Sequence, residues 1–281
     1  MNGLTNHRTL EVTALTPAIG AKVHGVDLAN GIDDPTFAEI KQAFLTHQVL
    51  FFRDQSRLSP EQQIAFGRRF GELHRHPAAP THPDHPEIFV IHTHKDSKVA
   101  NGQGWHTDVS CDEEPPMATM LQLHQLPSSG GDTLFASMYA AHDRLSESMR
   151  TFLATLTAAH ESEHIYRGRY SDRGVDDSGK VYPAAEHPVI RTHPETGRRA
   201  LYVNRAFTTR INGLSRGESR LLLGYLCGLA EDPSLQVRCH WAENDIALWD
   251  NRCVQHMALW DYWPEERRGH RVTIKGDRPR L

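Results

Sequence analysis

Gly104-Trp105-His106-Thr107-Asp108-Val109-Ser110 is the stretch from which the rest of the chain is read. Its imidazole and carboxylate stand two residues apart, so a strand over this segment points both to one face. A metal site built on that pair needs a further donor. His256 supplies it at the end of Trp249-Asp250-Asn251-Arg252-Cys253-Val254-Gln255-His256, because Arg267 follows eleven residues later and Arg271 fifteen. Two histidines and one carboxylate on one face of Fe(II) leave adjacent positions open for an oxidant and a co-substrate. In a chain with 19 histidines an H-x-D triplet alone carries little weight, and its bland alternative is a polar pair at a strand end.

Length and charge narrow the classes. A chain of 281 residues can bury a full core, and a single domain over 1–281 is expected. With 31 Lys and Arg scattered among 35 Asp and Glu, the net charge of −4 argues against nucleic acid or a polybasic membrane patch as partner. No apolar run approaches the roughly 20 residues of a membrane span, and Met1 to Leu10 lacks a signal-peptide core, so a cytoplasmic location is expected. Cys111, Cys227, Cys239 and Cys253 show no C-x-x-C spacing and read as free packing residues of a reducing compartment. Cys111 and Cys253 flank the proposed ligands, but a ferrous site of this kind prefers N and O donors.

Along the chain, Glu11 to Leu28 reads as extended. Gly31-Ile32-Asp33-Asp34-Pro35 then offers an Asp cap and an early Pro for a helix to about Thr46. Val49 to Phe52 suits a buried strand, and Ser59-Pro60-Glu61-Gln62 opens a helix to about Phe70. Gly71 to Pro86, rich in His and Pro, can only be a loop. Ile88 to His92, Ala118 to His124 and Thr133 to Ala136 read as strands, and Tyr139 to Ala159 as a helix with Leu145, Met149, Phe152, Leu153 and Leu156 on its core side. The polar residues 160–186 exceed the roughly 12 residues usual for a structureless loop, and a lid or insertion is expected there. His187 to His193 and Ala200 to Asn204 form a hairpin signal, Ser215 and Glu218 a capping box for a helix to about Leu229. Leu235 to Trp241, Ile246 to Trp249 and Arg271 to Lys275 close the chain as short strands. Many short strands with few helices predict a mostly β fold, a double-sheet jelly roll of the cupin type.

His-Thr-Asp, Gly130-Gly131-Asp132-Thr133-Leu134-Phe135, Trp249-Asp250-Asn251-Arg252-x-x-Gln255-His256, the arginines at 267 and 271, and the close His270 to Pro279 occur in an order that resembles the taurine dioxygenase (TauD/TfdA) family of Fe(II)- and 2-oxoglutarate-dependent dioxygenases. The resemblance spans Leu10 to Pro279 and implies a double-stranded β-helix. It implies Fe(II) held by His106, Asp108 and His256, with 2-oxoglutarate and O2 as co-substrates. Arg267 matches the arginine that grips the distal carboxylate of 2-oxoglutarate, a task suited to a planar two-pronged donor, and Thr133 the supporting threonine. Without the resemblance, Arg267 reads as a solvated charge in Glu265-Glu266-Arg267-Arg268. His76, Tyr166, Phe207 and Arg271 match positions around the substrate and outline a pocket for a small anion with an apolar body. Retention of Asp108 points to hydroxylation rather than halogenation, with succinate and CO2 as co-products and C–S or C–O cleavage where the hydroxylated carbon bears a heteroatom. Ala79 replaces a substrate-contacting tyrosine of the taurine-oxidising member, and Asn101 or Gly102 stands near an expected asparagine, which argues against taurine. The resemblance also implies a homo-oligomer, dimer or tetramer.

Two readings from other classes compete. A non-catalytic cupin-like binding protein needs the β fold but not Arg267 and Thr133 beside the triad. A zinc hydrolase could use His, Asp and His with one water. Asn251 and Gln255 are left unassigned, with turn residues as their bland alternative, and plain core is that of Trp249.

Overall fold

A computed structural model describes residues 10–79, 82–171 and 174–281. The reading of Met1 to Thr9 lies outside these residues, as do Pro80 and Thr81 of the His/Pro loop and Asp172 and Arg173 of the expected lid.

Strand alternation decides how the layers stack. Val49–Phe52 is buried at every position, so it must face apolar neighbours on both sides. Val49 and Phe51 belong to one core, Leu50 and Phe52 to another. Ile246–Asp250 repeats the pattern, with Ala247 and Trp249 on the first side and Ile246 and Leu248 on the second. Both strands lie in an eight-stranded sheet whose order is Glu11–Ala14, Ala21–His24, Val49–Phe52, Ile246–Asp250, Ala118–Gln125, Arg267–Ile274 and Leu73–His74, with Phe89–Thr93 also paired to Arg267–Ile274. Its pairings are antiparallel except for Ala21–His24 with Val49–Phe52.

A three-stranded antiparallel sheet, Gln236–Cys239, Thr133–Ser137 and Val254–Ala258, contributes Phe135, Ala136, Val237 and Cys239 to the first core. Phe135 packs edge-on against Phe51 at 5.6 Å between ring centroids, which joins the two sheets face to face. The helices Asp34–His47 and Pro60–Arg68 cover the other side of the large sheet through Ile40, Phe44, Ile64 and Phe66. Their caps are those read from sequence. Asp33 accepts from the Thr36 amide, and Ser59 and Gln62 exchange bonds in a capping box. Helix Arg216–Gly228 opens on the Ser215/Glu218 box, and Ile190–Thr192 pairs with Arg199–Leu201 as expected. The architecture is mostly β with flanking helices, the facing sheets of a double-stranded β-helix or jelly roll.

Three local expectations fail. The helix expected over Tyr139 to Ala159 is two short helices, Met138–Asp143 and Glu147–Leu153, followed by the strand Thr157–Glu161. Ser146 interrupts the helix because its side chain caps the second piece at the Met149 amide. The strand is recruited into a sheet with Ala184–Pro188 and Thr208–Ile211, and Phe152 is left 44% exposed. Second, the stretch Gly71 to Pro86 is not all loop, since Leu73–His74 pairs with Thr273 and Ile274 at the sheet edge; residues 160–186, read as a lid or insertion, hold the end of one strand, the turn of helix Glu163–Tyr166 and the start of another strand. Third, the last strand begins at Arg267, not Arg271, because pairing with Phe89–Thr93 extends it.

Candidate active site

The His-Thr-Asp triplet is not part of a strand. His106 makes a single bridge to His256, exchanging His106 N–H to His256 carbonyl at 3.1 Å and the reverse bond at 2.8 Å. The chain then turns at once, with the β-branched Val109 in the left-handed region at φ 47°, a conformation that costs on the order of 1–3 kcal/mol. The bridge sets the imidazoles side by side at 4.1 Å between centroids, and the turn folds Asp108 back toward them. Donor atoms of His106, Asp108 and His256 lie within 4.8 Å of one another.

Each donor is in the form a divalent ion requires. His106 Nδ1 bonds the Gly104 carbonyl at 2.7 Å, so it carries the proton and leaves Nε2 as a lone pair 3.8 Å from Asp108 Oδ1. Burial pushes His106 below the usual histidine range, against the pull of Asp108, and pushes His256 well below it, helped by His106. Burial works against ionisation of Asp108, yet Arg271, His256, His106 and the Thr119 hydroxyl together hold its carboxyl below the usual range. Two neutral imidazoles and one carboxylate with converging lone pairs fit a ferrous ion.

Beside them is a cavity of about 280 Å³. All the side chains proposed from the sequence line it: the three donors, Thr133, Arg267, His76, Tyr166, Phe207 and Arg271. Arg267 is 3% exposed and donates to the Gly131 carbonyl at 3.1 Å and to Thr133 Oγ1 at 3.2 Å, while Trp241 Nε1 donates to the same hydroxyl at 3.0 Å. No ion pair of Arg267 is present among the described residues, and burial lowers its pKa, so a buried cation faces the cavity without a carboxylate. This contradicts the solvated charge that composition alone suggests.

Arg271 lies on the same strand, and Arg267, Gly269 and Arg271 all point inward and are buried. Its Nη1 donates to Asp108 Oδ1 at 2.7 Å, its guanidinium sits over the Phe89 ring, and its Nε is buried without a partner. The acid it meets is therefore Asp108. His76 Nδ1 accepts from the Ala78 and Ala79 amides at 3.1 and 2.9 Å, which leaves the proton on Nε2. Its ring packs on Phe89 and Tyr166, and Tyr166 meets Phe207 edge-on. Residues 160–186 reach the cavity through Tyr166, Arg169 and Tyr170, and Arg169 donates to the Ala100 carbonyl at 2.7 Å.

Some residues were passed over. Trp249, read as core, lines the cavity with its ring 4.7 Å from that of His256. Thr119 bonds Asp108, and Asn251 bonds Thr119. A hydroxyl inside the otherwise apolar run Ala118 to Leu121 was the available signal. By contrast Asp250 and Arg252 of the same motif serve the scaffold, for Arg252 holds both oxygens of Asp250, which His193 also bonds. The cysteines are free and buried, and burial raises the Cys111 thiol to about 12.

The sequence matches the taurine catabolism dioxygenase TauD, TfdA family over residues 11–273. It is 35% identical to an alpha-ketoglutarate-dependent sulfate ester dioxygenase of Pseudomonas putida, over 96% of this chain and 91% of that protein. It is 35% identical to an (S)-phenoxypropionate/alpha-ketoglutarate-dioxygenase of Sphingobium herbicidovorans, over 89% and 90%. The crystal structure of a taurine dioxygenase from Burkholderia xenovorans superposes with a TM-score of 0.83 at 34% identity, covering 96% of this chain and 92% of that one. Neither a zinc hydrolase nor a non-catalytic cupin accounts for these likenesses together with the Arg267/Thr133 cradle. The chain belongs to the TauD/TfdA family and is an Fe(II)- and 2-oxoglutarate-dependent dioxygenase.

Proposed function

We propose that His106, Asp108 and His256 hold the iron, that Arg267 and Thr133 hold the distal carboxylate of 2-oxoglutarate, and that His76, Tyr166, Phe207 and Arg271 bind a small organic anion presented for hydroxylation. The observation that carries this reading is the division of labour between two buried arginines on one wall of one cavity. Arg267 has a hydroxyl and a carbonyl beside it and no acid, which suits a ligand carboxylate. Arg271 reaches Asp108 and has a spare buried N–H, which suits a second anion close to the metal. Held by His106, Asp108 and His256 with 2-oxoglutarate anchored by Arg267 and Thr133, Fe(II) would supply O2-dependent hydroxylation of a substrate C–H bond coupled to formation of succinate and CO2.

The chain's own residues orient and enclose. His76, with its proton on Nε2, can donate to the substrate anion, while Phe89, Tyr166 and Phe207 surround an apolar body and exclude water. Hydroxylation next to oxygen or sulfur gives an adduct that fragments, so a sulfate ester, sulfonate or aryloxy carboxylate would be cleaved. The relatives named for sulfate esters and phenoxypropionate support that substrate range. In this reading the chain is one domain with residues 160–186 as its lid, supported by Tyr166, Arg169 and Tyr170 at the cavity. It works in a reducing cytoplasm, supported by four buried free thiols. A homo-oligomer is what the family resemblance implies.

The test is 2-oxoglutarate-dependent O2 uptake with alkyl sulfates, alkanesulfonates, aryloxy carboxylates and their neutral alcohol analogues, with succinate quantified. One anionic class should stimulate uptake, and Arg271→Gln should lower kcat/KM for it by about 10²-fold, since a lost charge-assisted bond costs about 2–3 kcal/mol. Equal turnover of neutral analogues, or full anion turnover by Arg271→Gln, would sink the anion pocket.

A further inference from the structure

Asp108 has two oxygens in different surroundings. Oδ1 faces His106 Nε2 and Arg271 in the donor cluster, while Oδ2 accepts from Thr119 Oγ1 at 2.6 Å. Behind Thr119 the bonds continue: Asn251 Nδ2 donates to Thr119 Oγ1 at 2.9 Å, and Trp249 Nε1 donates to Asn251 Oδ1 at 2.9 Å. Thr119, Asn251 and Trp249 are each no more than 1% exposed, and Asp108 is 3% exposed.

The direction of this chain is set at its far end. An indole N–H can only donate, so the Asn251 carbonyl oxygen must face it and the amide nitrogen must face Thr119. That nitrogen can only donate, so the Thr119 hydroxyl oxygen accepts there and its single proton is left for Asp108. Register holds the parts in place, since Thr119 lies opposite Trp249 on one side and Thr273 on the other. Asn251 also lies against the ligand turn, because Thr107 Oγ1 sits between the backbone carbonyls of Val254 at 2.5 Å and Asn251 at 3.0 Å.

Taking His106, Asp108 and His256 as the iron ligands, we propose that Thr119, polarised by Asn251 and Trp249, is a positioning residue that reserves Asp108 Oδ2, so that only Oδ1 binds the metal and the neighbouring coordination position stays open for 2-oxoglutarate. A carboxylate with both oxygens free can close on a cation in bidentate fashion, as carboxylate ligands do elsewhere. The same bond fixes the rotamer of Asp108, as partners of metal ligands commonly do.

The experiment uses Co(II) as the metal, added to chelator-treated full-length wild type, Thr119→Val, Thr119→Ser and His256→Ala, with anaerobic titration of 2-oxoglutarate followed by visible absorption. Thr119→Val retains shape and strand preference while removing the hydroxyl. We expect it to bind Co(II) with altered d–d bands and to bind 2-oxoglutarate to the Co(II) form at least tenfold more weakly, with Thr119→Ser restoring both. Asn251→Leu should shift both in the same direction by less. If Thr119→Val melts lower but keeps the wild-type Co(II) bands and 2-oxoglutarate affinity, Thr119 is merely structural and the proposal falls. If His256→Ala binds Co(II) like wild type, the ligand assignment itself fails, a result separate from any behaviour of Thr119.

Discussion

Arg267 and Arg271 lie four residues apart on one strand and both face the cavity, yet they meet different partners. The nearest groups to Arg267 are neutral acceptors, and desolvation lowers its pKa. A cation so placed is stabilised by any carboxylate that enters, so Arg267→Ala should raise the KM for 2-oxoglutarate by about 10²-fold or more, the equivalent of roughly 3 kcal/mol. Steady-state kinetics with varied 2-oxoglutarate check this, and an unchanged KM removes the role from Arg267. Arg271 differs because it already touches Asp108, the carboxylate proposed for the metal. A separation of four residues puts Arg271 on the same strand face as Arg267, but the residue that Arg271 meets could not be read, since Asp108 is 163 positions away in the chain.

The strand Arg267–Ile274 is the element that aims both arginines. It lies between Ala118–Gln125 and Phe89–Thr93, and its register against the former shifts between Arg268 and Gly269. At that shift the backbones crowd: a Cβ on Gly269 would lie 2.3 Å from the Gln122 carbonyl oxygen and 2.7 Å from Leu123 Cδ2. A carbonyl oxygen in a ladder cannot swing aside, so Gly269→Ala must push the strands apart. We expect a loss of about 1–3 kcal/mol in urea denaturation, as for other overpacked sites, together with weaker 2-oxoglutarate binding because Arg267 is two residues away. Wild-type values for both would show that the approach is not limiting. The failed helix over Tyr139 to Ala159 belongs to this scale too. Its apolar spacing was real, but Ser146 capped a new start and the strand Thr157–Glu161 found two partners distant in sequence.

Across the molecule, away from the donor cluster, the buried His160 and the half-buried His124 and His270 are pushed below the usual histidine range by burial. Burial takes His160 down to about 3, while burial, followed by Arg57 for His124 and by His82 for His270, takes those two down to about 4. In the unfolded chain the same groups titrate at about 6.5, so between that value and the folded ones the unfolded state binds more protons. Their stabilising contribution is present above about pH 6.5 and is lost as pH falls toward 4. Metal-free protein should accordingly unfold at lower urea concentration at pH 5 than at pH 7.5. His160 is fully buried beside Ser110, His187 and Tyr202, so His160→Gln should be less stable at pH 7.5 and lose less between the two pH values. An equal slope for wild type and variant would exclude His160 as a source.

Features that depend on short stretches were legible in the sequence. Asp33, Ser59 and Ser215 announce helix starts because a capping side chain bonds amides only two or three residues on. The alternation of Val49–Phe52 and Ile246–Asp250 between two cores follows from strand geometry alone, and the ordered motifs carried the family. The residues proposed for the site could be named because each stands in its motif. How they meet belonged to the tertiary structure. His106 and Asp108 converge through a bridge to a residue 150 positions on and a left-handed Val109, not through a continuous strand. Arg267 is on the strand because Phe89–Thr93 pairs with it, and the Thr119 hydroxyl points at Asp108 because Asn251 and Trp249 determine its polarity from another strand and its following turn. Such contacts join segments that only folding brings within hydrogen-bond distance, and a bond between them leaves no periodic trace in the chain.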